Sequence, residues 1–298
     1  MFISNDALIQ TLTNQMNTQV SNLADLQMQL SSGKLLNKPS DNPAAVTQVL
    51  ALSSQAKQLA SWQTNVDTAT SWLGIANSTA NSVLNSLLSA RSLLLQASNQ
   101  GVQSPTTYTA LGTQLKGVSA NLLALANTQY AGRAIFAGTS ASLQAYDANG
   151  NFLGNTDIPT AVIGPGSGVG QSVNLSVAGT AMFGVGTSNV FAILSGAATA
   201  LLSGTPTSAN LSSALSALDN VISSAQQSSA VLGDASQMVS SASSALTTQI
   251  ANVQSNQANL ENVNVATAAT QLTLETTSYQ AALWAASRAI PETLVKFL

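Results

Sequence analysis

From Phe2 to Leu30, apolar residues recur every three or four positions: Phe2, Ile9, Leu12, Met16, Leu23, Leu26 and Leu30, with Asn5 and Gln19 as polar exceptions on the same line. Steps of three and four gather these side chains on one helix face, at the a and d positions of a heptad. The pattern stops at Ser31-Ser32-Gly33, where glycine suits the left-handed residue that closes a helix. It resumes after Ser40-Asp41-Asn42-Pro43, with Asn42 placed to cap and Pro43 to open a second helix. The stretch between is predicted to be a loop, and it carries Lys34 and Lys38.

The second helix is predicted from Pro43 to about Asn99. Its clearest line is Leu73, Ala76, Ala80, Val83, Leu87, Ala90, Leu94 and Ala97. Ser104-Pro105 starts a third helix, with Tyr108, Leu111, Leu115, Leu122 and Leu125 on one side. Between about Ala131 and Thr187 the helical spacing disappears and glycine becomes frequent. The runs Thr160–Ile163 and Ser172–Val177 are β-prone there, and Asn149-Gly150 suits a type I′ hairpin turn. Helix returns near Asn189. After the Gly204-Thr205-Pro206 break it runs long, with Leu232, Val239, Leu246, Ile250, Val253 and Leu260 on one seam. Asn264 is placed as a cap before a last seam of Leu272, Tyr279, Leu283, Ile290 and Phe297.

The order is therefore mirrored, with a heptad helix, a loop and a long helix at each end and a β insert between. The fold class expected is mainly α: an elongated antiparallel helical bundle or coiled coil built from the N- and C-terminal halves, with a small central β-rich domain. Three domains are expected: 1–42 with 261–298 as an inner assembly core, 43–140 with 188–260 as a long-helix bundle, and 141–187 as a small outer β domain.

Composition removes most chemistry. Charged residues are 6% of the chain, against about a quarter in ordinary domains. Ser, Thr, Asn, Gln and Ala take their place. The eight Lys and Arg are scattered and the net charge is −3, so no basic stripe is available for nucleic acid. Cysteine and histidine are both absent, which excludes thiol nucleophiles, Ser-His dyads and the usual zinc sites. No apolar run approaches the ~18 residues that span a bilayer, so no membrane insertion is expected. No basic-then-apolar segment opens the sequence, and the first Lys is Lys34. Export, if it occurs, is expected to need no cleaved signal.

The remaining motifs fail on inspection. Asp147, Asn149 and Asn151 echo a calcium loop, but the required Gly falls on Phe152 and the closing Glu on Ile158. The Gly164–Gly170 run fits neither G-x-G-x-x-G nor G-x-S-x-G. No two carboxylates share a helix face for acid–base work. The three tryptophans, 62, 72 and 284, are read as helix-packing anchors. The reading is of no enzyme, no cofactor and no metal. What is left is a chain whose first helix holds only when its seam is covered. The C-terminal helix covers one side and neighbouring copies the rest, which predicts polymerisation through the ends.

Two stretches carry a family resemblance. Leu30-Ser31-Ser32-Gly33 followed by Pro39-Ser40-Asp41-Asn42-Pro43-Ala44-Ala45 resembles the signature loop of the bacterial flagellin family, here Ser32, Gly33, Asp41, Asn42 and Pro43. Gln280-Ala281-Ala282-Leu283 and Ile290–Leu298 resemble its C-terminal helix. Filament members typically carry an R-I-N and D-D-A-A-G version of the loop. Pro43 after Asp41-Asn42, and the run Gly132–Gly138, look instead like the family's hook–filament junction subunits. The low charge departs from typical members. The resemblance implies a subunit with an inner layer of terminal helices, an outer layer of longer helices and an exposed β domain. It implies self-assembly into a ring or short helical zone, with hook-associated protein 1, flagellin and a flagellar export chaperone as partners, outside the cell on the flagellum. A filament subunit, and a secreted coiled-coil adhesin or effector, remain as alternatives.

Overall fold

The computed structural model describes residues 5–99, 104–140, 142–165 and 170–289. Among them are seven α-helices: α1 (Asn5–Ser32), α2 (Pro43–Ser98), α3 (Pro105–Ala126), α4 (Gly179–Phe183), α5 (Val190–Leu202), α6 (Ser208–Glu261) and α7 (Val265–Ala289). Four short strands accompany them: β1 (Gln129–Tyr130), β2 (Arg133–Ala134), β3 (Thr160–Gly164) and β4 (Gln171–Asn174). The protein is mainly α with a small β region. The chain forms two compact units. One takes the chain up to Gln58 and again from Gln249 onward, and the other is Leu59–Thr248.

The Leu59–Thr248 unit owns the core. Every residue of the line Leu73–Ala97 is buried, and so are Leu218, Leu232, Val239 and Leu246 of α6. The mixture of large and Ala positions along this line lets helices approach closely while filling the space between them. Polar pairs fix the registers. The Asn77 amide donates to Ser236 Oγ at 2.7 Å, and Asn121 donates to Ser86 Oγ at 3.1 Å. Arg91 grips Asp219 with two hydrogen bonds, Nε at 2.6 Å and Nη2 at 3.3 Å.

Helix ends follow the capping residues. Ser104 Oγ accepts from Thr107 N–H, and Pro105 occupies the first turn of α3. Asn189 Oδ1 accepts from Ala192 N–H, while its amide donates to the Gly150 carbonyl at 3.0 Å and so ties α5 to the loop region.

The β region packs around aromatic rings. Tyr146 stands among Phe152, Phe183 and Phe191, with ring centroids 5.0 to 5.4 Å away, and Phe136 meets Phe183 edge-on. Gly179 is required at this centre, because a Cβ would fall 2.7 Å from the Phe136 carbonyl oxygen. Asn127, at the end of α3, receives the N–H groups of Ala145 and Tyr146 and donates to the Tyr146 carbonyl. Three bonds thus pin the loop to the helix.

Two details differ from the sequence reading. The turn at Asn149-Gly150 is not type I′, since Asn149 has no positive φ. The turn is centred on Ala148-Asn149, Gly150 N–H donates to the Asp147 carbonyl at 3.0 Å, and Gly150 follows in the left-handed region. The Asp147 carboxylate is taken up locally by Asn149 N–H, Asn151 N–H and the Asn151 amide. The two-residue turn with positive φ at both centres is Ala131 (+49°) and Gly132 (+78°), joining β1 to β2. The second detail is length. The expected strand Ser172–Val177 stops at Asn174: Leu175 N–H still donates to the Pro159 carbonyl at 2.8 Å, but proline has no N–H to return, and Leu175, Ser176 and Val177 bury their side chains. Ser176 spends its hydroxyl on the Ile135 carbonyl.

Helix surfaces solve the shortage of charge in one recurring way. Hydroxyls turn back on the preceding turn, as in Thr64 to Ala60, Ser82 to Ser78, Thr113 to Thr109 and Thr270 to Ala266.

Candidate assembly interface

The other unit contains α1, the start of α2, the end of α6 and α7. Two helices packed side by side cover one flank of each, and the burial shows it. Leu12, Met16, Leu23, Leu26 and Leu30 of α1 are half-buried, as are Leu272 and Tyr279 of α7. Among the described residues of this unit, only Val253, Ala268 and Ala286 are buried. Ile9 falls within α1, whereas Phe2, Ile290 and Phe297 lie outside the described residues. Leu283 is 39% exposed, while its neighbours Ala282 and Ala286 are better covered. The α1-facing line of α7 is therefore Ala268, Leu272, Glu275, Tyr279, Ala282 and Ala286, with the Asn22 amide donating to Glu275 at 3.2 Å.

The signature loop is held by a set of local hydrogen bonds. Gly33, at φ +71°, ends α1, and Ser32 Oγ accepts from Lys34 N–H at 3.1 Å. Asp41 Oδ2 receives the N–H groups of Lys38 and Asn37 at 2.8 and 3.0 Å. These two bonds, Lys38 first, hold the Asp41 carboxyl below the usual range. Asn42 Oδ1 accepts from Ala45 N–H at 3.1 Å, and Pro43 takes the first position of α2, where no N–H is needed.

Sequence reasoning missed what faces this loop. Leu35 N–H donates to the Glu261 carbonyl at 2.6 Å and Val263 N–H to the Gly33 carbonyl at 3.1 Å. Lys34 pairs antiparallel with Asn262, and its ammonium lies 3.1 Å from the Glu261 carboxylate. The Gln257 amide and then Lys34 hold the Glu261 carboxyl low, against partial desolvation. Lys38 reaches Asp25 at 2.8 Å, which raises the lysine pKa. The α1–α2 break and the α6–α7 break are thus joined side by side. The available signal was that Asn262-Val263-Asn264 interrupts the C-terminal seam about as far from its end as Gly33–Asn42 does from the start.

The tryptophans separate. Trp72 is buried edge-on to Tyr130, with Arg133 6.0 Å above its ring, and Trp62 is half-buried. Trp284 was expected to pack, yet it is 75% exposed because it points away from the α1-facing line. Val20, Leu50, Val265 and Leu274 are likewise exposed. Among the described residues no group of acids could hold a metal ion, and no helix is long and apolar enough to cross a membrane. What the unit offers is half-covered apolar surface, organised by a bonded loop.

Residues 3–141 match the bacterial flagellin N-terminal helical region, and residues 215–298 match the bacterial flagellin C-terminal helical region. The chain belongs to the bacterial flagellin family. More particularly, it is similar to the flagellar hook-associated protein 3 of Salmonella typhimurium, 32% identical over 128 residues, which are 42% of this chain and 40% of that protein. It is also similar to the flagellar hook-associated protein 3 of Escherichia coli, 30% identical over 131 residues, 43% and 41% of the two chains. These matches span about two fifths of the curated relatives' length. Two solved structures share the fold. A structure described as a flagellar hook-associated protein from Vibrio parahaemolyticus superposes with a TM-score of 0.68 at 19% identity, covering 74% of this chain and all of that one. FlgL of Bacillus cereus gives 0.50 at 20% identity, covering 72% of this chain and 99% of that one.

Proposed function

We propose that this chain is a structural subunit of the bacterial flagellum, forming the junction between hook and filament and assembling through its terminal helices. The observation that carries the reading is the near-absence of buried side chains among the described residues of the unit built from the two ends, in a chain whose other unit is densely cored. Surface of this kind is stable when further copies cover it. The similarity to flagellar hook-associated protein 3 supports the junction role over that of the filament. In this reading the terminal helices form the inner layer, 141–187 faces outward, and the subunit sits between hook-associated protein 1 and flagellin after export with a chaperone. No catalytic step is assigned.

Immunolabelling of intact flagella tests it. A single band where hook meets filament is expected, with filaments shed when the gene is deleted. Label along the whole filament identifies a filament subunit instead, and label confined to the cell surface overturns both.

A further inference from the structure

We propose that Trp284 and Arg288 of one copy seat in the groove beside Leu274 and Glu275 of a second copy. The inference rests on the assembly reading above and gives that contact two named faces.

The receiving face is a groove of about 390 Å³ between α1 and α7, with Leu26 and Leu274 as apolar wall and Asp25, Gln271 and Glu275 among its polar lining. Asp25 is paired with Lys38. Glu275 receives an amide hydrogen from Asn22 but, among the described residues, no cation. Among the described residues, the groove therefore keeps one carboxylate without a counter-charge.

The entering face is a pair one turn apart on α7. Trp284 is the most exposed large apolar side chain among the described residues, and Leu274 is next at 68%. Arg288 is exposed in the last turn of α7 and, among the described residues, pairs with no carboxylate. A guanidinium and an exposed indole on one side complement a carboxylate and an exposed leucine on the other, neither ion being paired among the described residues. Tryptophan and arginine are also the side chains that most often anchor protein interfaces.

Direction follows from helix geometry. Glu275 and Trp284 are separated by about two and a half turns, so they point to opposite sides of α7. Each copy then gives its Trp284 face to one neighbour and its groove to another. Such a contact builds rings or helical arrays, not closed pairs.

The chain contains no cysteine, so introduced thiols report without background. The full-length double variant Gln271→Cys/Ser287→Cys, oxidised on isolated flagella, is expected to give a ladder of cross-linked copies. Ser78→Cys/Ser287→Cys serves as control and is expected to give none. Adding Arg288→Glu should cut the ladder at least tenfold, and adding Glu275→Arg as well should restore it. Dimers without a ladder, a ladder no stronger than the control, or indifference to charge reversal each overturn the proposal. Loss of flagellar labelling by the unmodified chain is a separate result, and it removes the assembly reading itself.

Discussion

Lys34 holds Glu261 by charge, its ammonium 3.1 Å from the carboxylate, and beside it Leu35 N–H donates to the Glu261 carbonyl at 2.6 Å. The pair joins the break after α1 to the break after α6. Glu261→Gln keeps the backbone bonds and removes the charge. Because Lys34 is half exposed, the expected loss is about 0.5–1 kcal/mol, smaller in high salt. Amide exchange at Leu35 and Val263 measures it. Unchanged exchange at low salt would show that the ion pair contributes nothing.

The same loop should respond to acid. Glu261 and Asp41 both titrate below their ordinary values in the folded chain. Stabilisation of this sign is fully present above the unfolded value, near pH 4, and is lost as pH falls through the lowered folded value. Protection at Leu35 and Val263, corrected for intrinsic exchange, should stay flat from pH 8 to 5 and fall below about pH 4. A decline centred near neutrality would contradict this assignment.

Ala131 occupies a left-handed position that costs an L-residue about 1–2 kcal/mol, whereas glycine pays mainly in unfolded-chain entropy. Ala131→Gly is expected to stabilise the Leu59–Thr248 unit by about 0.5–1 kcal/mol. Thermal unfolding reads the gain as a rise of a few degrees in Tm.

The Tyr146 hydroxyl is buried with no hydrogen-bond partner among the described residues, and burial pushes its pKa up. Tyr146→Phe removes a desolvated hydroxyl and keeps the ring contacts, so it should be neutral or stabilising by up to about 1 kcal/mol. Tyr146→Ala should cost about 3–5 kcal/mol. Chemical denaturation of both variants is the measurement.

Hydrogen exchange of the isolated chain should separate the two units. Leu87, at the centre of a buried line, is expected to exchange near the global unfolding limit, and Leu12 and Leu23 orders of magnitude faster. Equal protection at Leu12 and Leu87 would show that the terminal helices need no further cover.

Much of this architecture was legible because helices announce themselves over long windows. The line Leu73–Ala97 is buried without exception, and Asn42, Ser104 and Asn264 cap the helices they precede. Other features depend on partners distant in sequence. Nothing local to Lys34 points to Glu261, and nothing local to Trp284 says that its face is left uncovered. Leu283 looked like a seam residue by spacing alone. Ala282 and Ala286 take the inner line because small residues let α7 approach α1. The one β turn read from sequence failed for a sharper reason: Asn149-Gly150 is the better type I′ sequence, yet tertiary packing of Tyr146 and Phe152 sets that turn, while Ala131-Gly132, with no such signal, carries the positive-φ turn.

The back-bonded hydroxyls on the helices have a consequence for recognition. A surface whose polar groups are already spent on their own backbone loses little water when another helix lies against it, and it offers few landmarks to say how far along to lie. Sliding by one turn would cost such helices little. The sparse ions at Glu275 and Arg288 then act as notches on an otherwise smooth ruler, marking which of many near-equal alignments two neighbouring copies adopt.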